Sequence, residues 1–349
     1  MVMAHHFVIS GTWDMAPASA FFLNGYRGVL VFFVLSGFLV FRPFVAGPVG
    51  TGSYVVRRIA RVMPAYVLAL VGITLLSGER TFTDHPAQFL LLLQNYDPQL
   101  FQTFIPTSWT LVLEMTFYLV LPIVAMAFLP VVRGRLPRGL ALLLALGVVS
   151  LMVHVSPGAA SAPGVGSQAL PGMLWAFVPG MAVALVTVER PDLAARLANG
   201  YVAIIGAALV SAGWMLGNTP VLFMTADVFL VLGISLLIPW LTRPRTTPES
   251  WPIRRLAWFG VVVSYPFYLW HMAVMHSVVG AGLVGPLAFA ITFGLVVVIG
   301  VASYRLVERP AMRWAHTGSA PWRRRHAAAD VPLPATSTGA PQITEPQLA

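Results

Sequence analysis

A few ionisable side chains interrupt the long apolar stretches of this sequence, and their types are those that move protons. Glu114 lies in a mostly apolar run, residues 109–118, that contains no basic residue. His5 and His271 lie in two other apolar stretches. Carboxylates and imidazoles act as general acids and bases when they lie beside a reacting group. Because a charge inside an apolar medium is costly, such residues usually have a function.

A pair of arginines at the start of a further apolar stretch has a different chemistry. Arg58 and Arg61 are three positions apart and therefore share one face of a helix. A guanidinium group fits phosphate with two parallel hydrogen bonds, so the pair could hold a phosphorylated ligand. A basic cluster beside a membrane span also sets topology and contacts lipid headgroups. The residues alone leave both interpretations open.

The composition identifies the solvent in which these groups lie. Of 349 residues, 58% are hydrophobic and 9% are charged, with a mean hydropathy of +0.80. Soluble domains carry about a quarter charged residues, so this chain is predicted to be a membrane protein. The absence of cysteine excludes disulfides, thiolate metal ligands and a cysteine nucleophile, and no metal site is expected.

The apolar stretches predict an all-α polytopic membrane protein, a bundle of about ten transmembrane helices. A span needs about 20 apolar residues, and nine stretches approach that length. A tenth stretch, 1–11, is half as long, so the first helix is expected to be truncated. The nine longer stretches are 28–45, 60–76, 108–129, 139–155, 169–188, 201–216, 221–241, 256–279 and 283–306.

The basic residues predict the orientation of the bundle. All 21 are arginine. All but Arg27 and Arg80 lie at one face of the predicted bundle, most of them in the segments that follow even-numbered spans. By the positive-inside rule that face is cytosolic, so both termini of this plasma (inner) membrane protein are expected in the cytosol. The net charge of +9 therefore does not indicate a nucleic-acid surface. Residues 317–349 are rich in Ala, Pro, Ser and Thr and predict a disordered cytosolic tail after a membrane domain of residues 1–316.

Helical rise places four candidate residues in one layer of the outer half of the membrane. Glu114 lies about 9 Å and Ser36 about 12 Å below the outer edge, and His271 lies about 22 Å above the inner edge. His5 belongs to the same layer. Depth alone does not tell whether these side chains face one another.

Structural roles compete with chemical ones for several of the polar residues. His154 and His276 are interpreted as helix–helix hydrogen-bonding residues. Ser36 beside Gly37 is equally explained by a close approach of two helices. Asp227 is expected near the outer interface, in contact with water.

Five motifs, taken in order, resemble acyltransferase family 3, a family of integral-membrane acyltransferases. The resemblance runs from about His5 to Pro310, and Thr110 replaces a serine of the family pattern. The motifs are Phe-Phe-x-x-Ser-Gly in residues 28–39, Arg-x-x-Arg-x-x-Pro in 57–66, Trp-Thr-Leu-x-x-Glu-x-x-Phe-Tyr in 109–118, Ser-Tyr-x-x-Tyr-Leu-x-His in 264–271 and Glu-Arg-Pro at the end of 304–310.

The resemblance implies transfer of an acyl group, usually acetyl, from cytosolic acyl-CoA to a hydroxyl of a carbohydrate or glycosylated acceptor. It implies ten helices, no bound cofactor, and acyl-CoA as donor substrate. It also implies that a histidine of the first helix is the main catalytic residue and that an arginine lies eleven positions before this histidine. His5 aligns best with it and is preferred to His6. Since that arginine would precede residue 1, the sequence is expected to start downstream of the true start.

The same resemblance assigns roles to the candidate residues. Arg58 and Arg61 are expected to hold the CoA phosphates. His5 is expected to act as general base, with a transient acyl carrier as the alternative role. Glu114 is expected to orient an imidazole, and His271 to position substrate or stabilise the oxyanion. The residues expected to position substrate are Ser36, Trp109, Tyr118 and Tyr268.

Several acceptors and one other function class are compatible with this pattern. Lipid-linked or surface polysaccharide and macrolide-type metabolites are the candidate acceptors, and membrane lipid is the surrounding partner. The alternative is a proton-coupled secondary transporter using Glu114 and the intramembrane histidines. Inverted repeats are expected of many such transporters, and the sequence has no evident repeat. A scaffold protein would leave the intramembrane charges unexplained.

Overall fold

A computed structural model describes residues 1–14, 18–217, 219, 222–243 and 250–318, and this part of the chain is mostly helical and contains no strand. The chain is an all-α polytopic membrane protein, as the sequence predicted. From residue 319 onward, the predicted tail lies outside the described residues. The helices are α1 Val2–Ile9, α2 Ser19–Leu23, α3 Gly28–Ala46, α4 Thr51–Ser77, α5 Thr81–Asp84, α6 Pro86–Leu90, α7 Trp109–Val132, α8 Leu136–Val155, α9 Pro157–Ser161, α10 Leu170–Glu189, α11 Pro191–Leu197, α12 Gly200–Leu216, α13 Phe223–Thr242, α14 Trp251–Val262, α15 Ser264–Gly280, α16 Gly285–Ser303 and α17 Arg309–Gly318.

Seven helical stretches of the described chain are long and apolar enough to cross a membrane. An eighth is obtained if α11 and α12, which meet at a 66° bend, form one broken span. The seven stretches are Ser19–Ala46, Thr51–Ser77, Pro106–Val132, Leu136–Val155, Leu170–Glu189, Phe223–Thr242 and Gly285–Ala315.

With the bent pair counted as the eighth span, two predicted spans account for the remaining difference from ten. The stretch 256–279 is divided at Val263 into α14 and α15, neither of which has 18 residues. Proline lacks a backbone N–H and its ring crowds the carbonyl four residues earlier, so Pro266 favours a helix end at Val262. The first stretch forms α1, whose 8 residues cover only about 12 Å.

Small residues let the central helices approach closely. α3 packs on α10, and a Cβ built on Gly37 would overlap the carbonyl oxygen of Phe177. A Cβ on Gly180 would likewise overlap the carbonyl oxygen of Val34. In lipid, where apolar surface gives no driving force between helices, such close contact is a principal source of association. Gly37 therefore has the packing role that the sequence allowed.

The candidate residues lie on five helices that pack together, α1, α3, α4, α7 and α15. α4 and α7 contact each other, and both approach α3 or α15. The short α1 rests on α15 and on a 3₁₀ turn, Asn24–Arg27, that leads into α3. Glu308 of the Glu-Arg-Pro motif ends a π-helical turn, Tyr304–Glu308, that packs against α4, and Arg309 and Pro310 begin α17. This arrangement brings residues from both ends of the chain to one place.

Candidate active site

Three imidazoles form a row between α1 and α15. The ring centroids of His5 and His6 are 5.3 Å apart, and those of His6 and His271 are also 5.3 Å apart. The sequence preferred His5 to His6, yet His6 is the one that contacts His271. His5 instead faces Tyr26, whose ring centroid is 5.5 Å away.

The hydrogen bonds of His271 define its tautomer. Its Nδ1 lies 2.8 Å from the carbonyl oxygen of Tyr268, and a carbonyl oxygen can only accept. Nδ1 therefore carries the proton, and the neutral ring presents Nε2 as an acceptor. This Nε2 is buried and has no hydrogen-bond partner in the described part of the chain. A neutral His271 can thus accept a hydrogen bond from a bound substrate, but it cannot donate one to an oxyanion.

Glu114 is held by two hydroxyl groups. The Ser36 hydroxyl donates to Glu114 Oε1 at 2.8 Å, and the Tyr118 hydroxyl donates to the same oxygen. Tyr118 lies one turn further along α7, the spacing at which helix side chains meet, whereas Ser36 reaches across from α3. The hydrogen bonds of Glu114 in the described chain therefore go to hydroxyls, not to an imidazole as the sequence suggested.

The arginines of α4 lie at the far side of Glu114 from the imidazoles. The guanidinium carbon of Arg58 lies 5.1 Å from the ring centroid of Tyr118 and 5.4 Å from that of Tyr54. Arg61 donates to the sulfur of Met312 at 3.6 Å. Aromatic rings attract a guanidinium through their negative faces and restrict its motion. Tyr118 thus contacts both Arg58 and Glu114.

Two cavities meet at Glu114. The imidazole-side cavity, about 270 Å³, is lined by residues that include Met3, Thr110, Tyr268 and His271. The arginine-side cavity, about 200 Å³, is lined by residues that include Ser36, Arg58, Arg61 and Tyr118. Phe32, Glu114 and Tyr265 line both cavities. The two cavities therefore adjoin at these shared residues, with the arginines in one cavity and His271 in the other.

The two other expected positioning residues differ in their placement. Tyr268 lines the imidazole-side cavity, and its ring centroid is 5.8 Å from that of His271. The hydroxyl oxygens of Thr110 and Tyr268 are 3.0 Å apart. Trp109 lines neither cavity. Its ring packs edge-on against Phe33, with centroids 6.4 Å apart.

Two histidines interpreted as structural lie apart from the row. His154 Nδ1 is 2.9 Å from the carbonyl oxygen of Ser167. His276 is exposed and lines a separate groove with Glu79. Among the described residues, no group of three or more His, Asp or Glu side chains has a geometry suited to a metal ion.

The expectation that Asp227 contacts water was wrong. Its Oδ1 lies 2.5 Å from Nε of Arg27, which has an exposed fraction of 0%. Asn24 accepts a further hydrogen bond from Arg27, and the rings of Tyr26 and Phe223 each lie 4.8 Å from the guanidinium carbon. The 3₁₀ turn that carries Arg27 folds back against α1, which removes both charges from the solvent. The sequence placed Arg27 and Asp227 at the same, outer edge of the membrane, and their opposite charges could have predicted the ion pair.

Comparison with known proteins agrees with this geometry. A family model described as an acyltransferase domain matches residues 1–305, most of the chain. The chain belongs to acyltransferase family 3. It is therefore a membrane acyltransferase that transfers groups other than aminoacyl groups.

Three relatives match the chain over most of their length. Nodulation protein 10 of Rhizobium leguminosarum bv. viciae is 26% identical over 337 residues, covering 87% of this chain and 86% of the relative. A Komagataeibacter xylinus protein named as a membrane-bound transacylase, BcsY, is 28% identical and covers 87% and 81%. The exopolysaccharide production protein ExoZ of Rhizobium meliloti (strain 1021) is 28% identical and covers 84% and 91%. No solved structure matches the chain significantly.

Proposed function

We propose that this acyltransferase moves an acyl group, acetyl in the first instance, from acyl-CoA to a hydroxyl of a carbohydrate or glycosylated acceptor. The name of one relative, exopolysaccharide production protein, supports a carbohydrate acceptor. Acyl-CoA is the donor substrate, and the enzyme keeps no cofactor. Surface polysaccharide, a lipid-linked glycan and a macrolide-type glycoside all present the required hydroxyl.

The observation that carries the proposal is that the two cavities adjoin at Glu114, and we propose that they join into one path when the donor binds. An acyl-CoA molecule has a phosphorylated head and a long arm that ends in the thioester. Arg58 and Arg61 line one end of the path and offer the bidentate donors that phosphate prefers. The arm would pass Glu114 and deliver the thioester to the mostly apolar cavity beside His271.

The row of imidazoles supplies the proton transfers. The acceptor hydroxyl would attack the thioester carbonyl carbon, forming a C–O bond, while His5 takes the hydroxyl proton as general base. Collapse of the tetrahedral intermediate breaks the C–S bond, and the proton leaves with the CoA thiolate as a thiol. His5 is chosen because the family resemblance assigns the leading histidine to it, and the acceptor would approach from its Tyr26 side to bring its hydroxyl to the row.

The neighbouring residues position the reacting groups. His271 Nε2 accepts a hydrogen bond from substrate, since its Nδ1 proton is engaged. The Tyr268 hydroxyl, beside Thr110, is the donor available to the oxyanion. Ser36 and Tyr118 hold Glu114 against the pantetheine arm. Trp109 acts indirectly, by supporting Phe33 in the wall of the cavity.

The orientation of the enzyme follows from the arginine distribution. We infer a plasma (inner) membrane location with cytosolic termini, in which the Arg58 end of the path opens to cytosolic acyl-CoA. The acceptor would then approach from the opposite half of the membrane.

The direct test is incubation of the purified protein, in phosphatidylcholine nanodiscs, with radiolabelled acetyl-CoA and an alkyl glycoside acceptor. Labelled ester and free CoA thiol are expected in equal amounts from the unmodified protein. Neither product is expected from a His5→Ala, His6→Ala double variant. Uptake of a solute into vesicles, with no CoA release from the unmodified protein, would contradict acyl transfer.

A further inference from the structure

Buried polar atoms without partners are concentrated beside the imidazole row. His5 Nδ1, His6 Nδ1, the Tyr26 hydroxyl, Nη2 of Arg27 and Nε2 of His271 are all buried, and none has a hydrogen-bond partner among the described residues. Successive ring and cation contacts connect these five residues. Buried polar groups are almost always hydrogen-bonded, so a contiguous set without partners indicates a polar ligand.

An aromatic pair lies at the end of this set that is farther from the donor cavity. The rings of Tyr26 and Phe223 stack with an interplanar angle of 11° and centroids 6.0 Å apart. Phe223 is 43% exposed, so its ring can be reached from outside the protein, and the buried Tyr26 hydroxyl lies behind it. Flat aromatic surface beside hydroxyl and guanidinium groups suits a ligand with apolar C–H faces and hydroxyl edges, which is the character of a sugar ring.

Arg27 is fixed in a position to complete such a site. Its Nε donates to Asp227 and its Nη1 donates to Asn24, and Nη2 has no hydrogen-bond partner among the described residues. Both rings of the pair also contact the guanidinium. A donor held in this way loses little conformational entropy when it binds a ligand.

From these contacts we propose an acceptor subsite formed by Tyr26, Arg27 and Phe223, which binds the sugar ring of a glycoside and presents one hydroxyl to His5. The proposal rests on the proposed function and names the place of its second substrate. The sugar stacks on Phe223, while the Tyr26 hydroxyl and Arg27 Nη2 bind two of its oxygens. The donor thioester, on the His271 side, and the acceptor hydroxyl, on the Tyr26 side, then meet at the imidazole row.

The test measures binding and transfer of octyl β-D-glucoside, with octyl phosphocholine as an amphiphile of equal chain length that lacks a sugar. The protein is studied as the full chain in phosphatidylcholine nanodiscs, by saturation-transfer NMR and by kinetics with acetyl-CoA. Tyr26→Phe removes one hydroxyl, and Phe223→Leu removes the stacking ring. Phe293→Leu is the matched control, because Phe293 is a comparably exposed phenylalanine, at 42%, on α16.

Each of the two subsite variants is expected to weaken glucoside binding and to raise its KM about three- to tenfold, the loss of one hydrogen bond or ring contact. The KM for acetyl-CoA and the binding of octyl phosphocholine should remain unchanged, as should all properties of the control. Equal glucoside binding by all variants would overturn the subsite, as would equal binding of the two amphiphiles or no glucoside binding by the unmodified protein.

Failure of the proposed function would have a different signature. Without acyl transfer, the unmodified protein would release no CoA, while the NMR signal of the bound glucoside could still be compared among the variants. The two failures can therefore be told apart. If only the proposed function fails, the protein binds glucoside at the subsite but transfers no acyl group. If only the subsite fails, the protein transfers the acyl group, but its KM for glucoside does not change when Tyr26 or Phe223 is replaced.

Discussion

The imidazoles of His6 and His271 lie with their ring centroids 5.3 Å apart, although they come from opposite ends of the chain. α1 and α15 carry these residues, and no other helix separates the two rings. The contact places the histidine pair of the first helix beside the cavity that Glu114 and Tyr268 also line. Three imidazoles, not two, are thereby available to the chemistry.

The first prediction concerns which histidine of the first helix, His5 or His6, is the general base. His5→Ala should lower kcat by about 10²- to 10⁴-fold, the contribution of a general base. His6→Ala should lower it less, because His6 supports the row without taking the proton. The assay is labelled ester formation from acetyl-CoA and octyl glucoside. His154→Ala, which removes an imidazole bound to the Ser167 carbonyl, should retain activity and membrane insertion. If His6→Ala is inactive while His5→Ala turns over normally, the base is His6.

The second prediction separates the two contacts of Tyr118. Tyr118→Phe removes the hydroxyl that donates to Glu114 but keeps the ring beside Arg58. It should lower kcat about tenfold, a loss of about 1.4 kcal/mol, with little change in the KM for acetyl-CoA. Tyr118→Leu removes the ring as well and should also raise that KM. Steady-state kinetics at varied acetyl-CoA measures both. An identical KM for the two variants would show that the ring does not hold Arg58 for donor binding.

The third prediction concerns the arginines at the end of the arginine-side cavity. Arg58→Gln and Arg61→Gln should each raise the KM for acetyl-CoA by about 10- to 100-fold, since a hydrogen bond to a charged group contributes about 1.5–3 kcal/mol. Arg57→Gln is the matched control, because Arg57 neighbours both arginines on α4 and is not among the residues that line this cavity. Equal KM values for the three variants would support the alternative in which the cluster only contacts lipid headgroups.

The sequence could predict which residues share the site because helical rise fixes depth. Ser36 and Glu114 were placed in one layer from their positions in two spans, and the two side chains are hydrogen-bonded at 2.8 Å. The rotation of each helix about its own axis depends on packing with neighbouring helices, and a local sequence pattern does not predict that packing. For that reason the sequence assigned Glu114 to an imidazole, whereas its partners are hydroxyls.

The buried ion pair shows the same limit more strongly. Arg27 and Asp227 are separated by two hundred positions, and each alone resembles an interfacial residue in solvent. Their pairing depends on the 3₁₀ turn that folds back onto α1, a feature of loop geometry that apolar periodicity does not contain. The number of long helices among the described residues is smaller than ten for a related reason, since a proline within an apolar stretch can be tolerated or can end the helix.

The fourth prediction tests the close packing of α3 and α10. Gly180→Leu places a side chain where the α3 backbone lies, and neither backbone can move without opening the core. Overpacking of this kind costs about 1–3 kcal/mol or more, so the thermal unfolding temperature in nanodiscs should fall by several degrees. Gly294→Leu in α16, where a Cβ meets no atom within 4 Å, should unfold at the temperature of the unmodified protein. Equal unfolding temperatures for the two variants would contradict tight α3–α10 contact.

The fifth prediction concerns the ion pair of Arg27 and Asp227, in which stability and acceptor binding can be separated. Arg27→Met alone leaves a buried carboxylate without its cation and should destabilise the protein by about 3–5 kcal/mol. Arg27→Met combined with Asp227→Leu replaces the pair by apolar groups, and the unfolding temperature should recover. The recovered double variant still lacks the Nη2 donor, so its KM for octyl glucoside should stay raised while its KM for acetyl-CoA is normal. Thermal unfolding and two-substrate kinetics on the same samples give both quantities. If the double variant recovers glucoside KM together with stability, Arg27 only supports the fold and does not bind the acceptor.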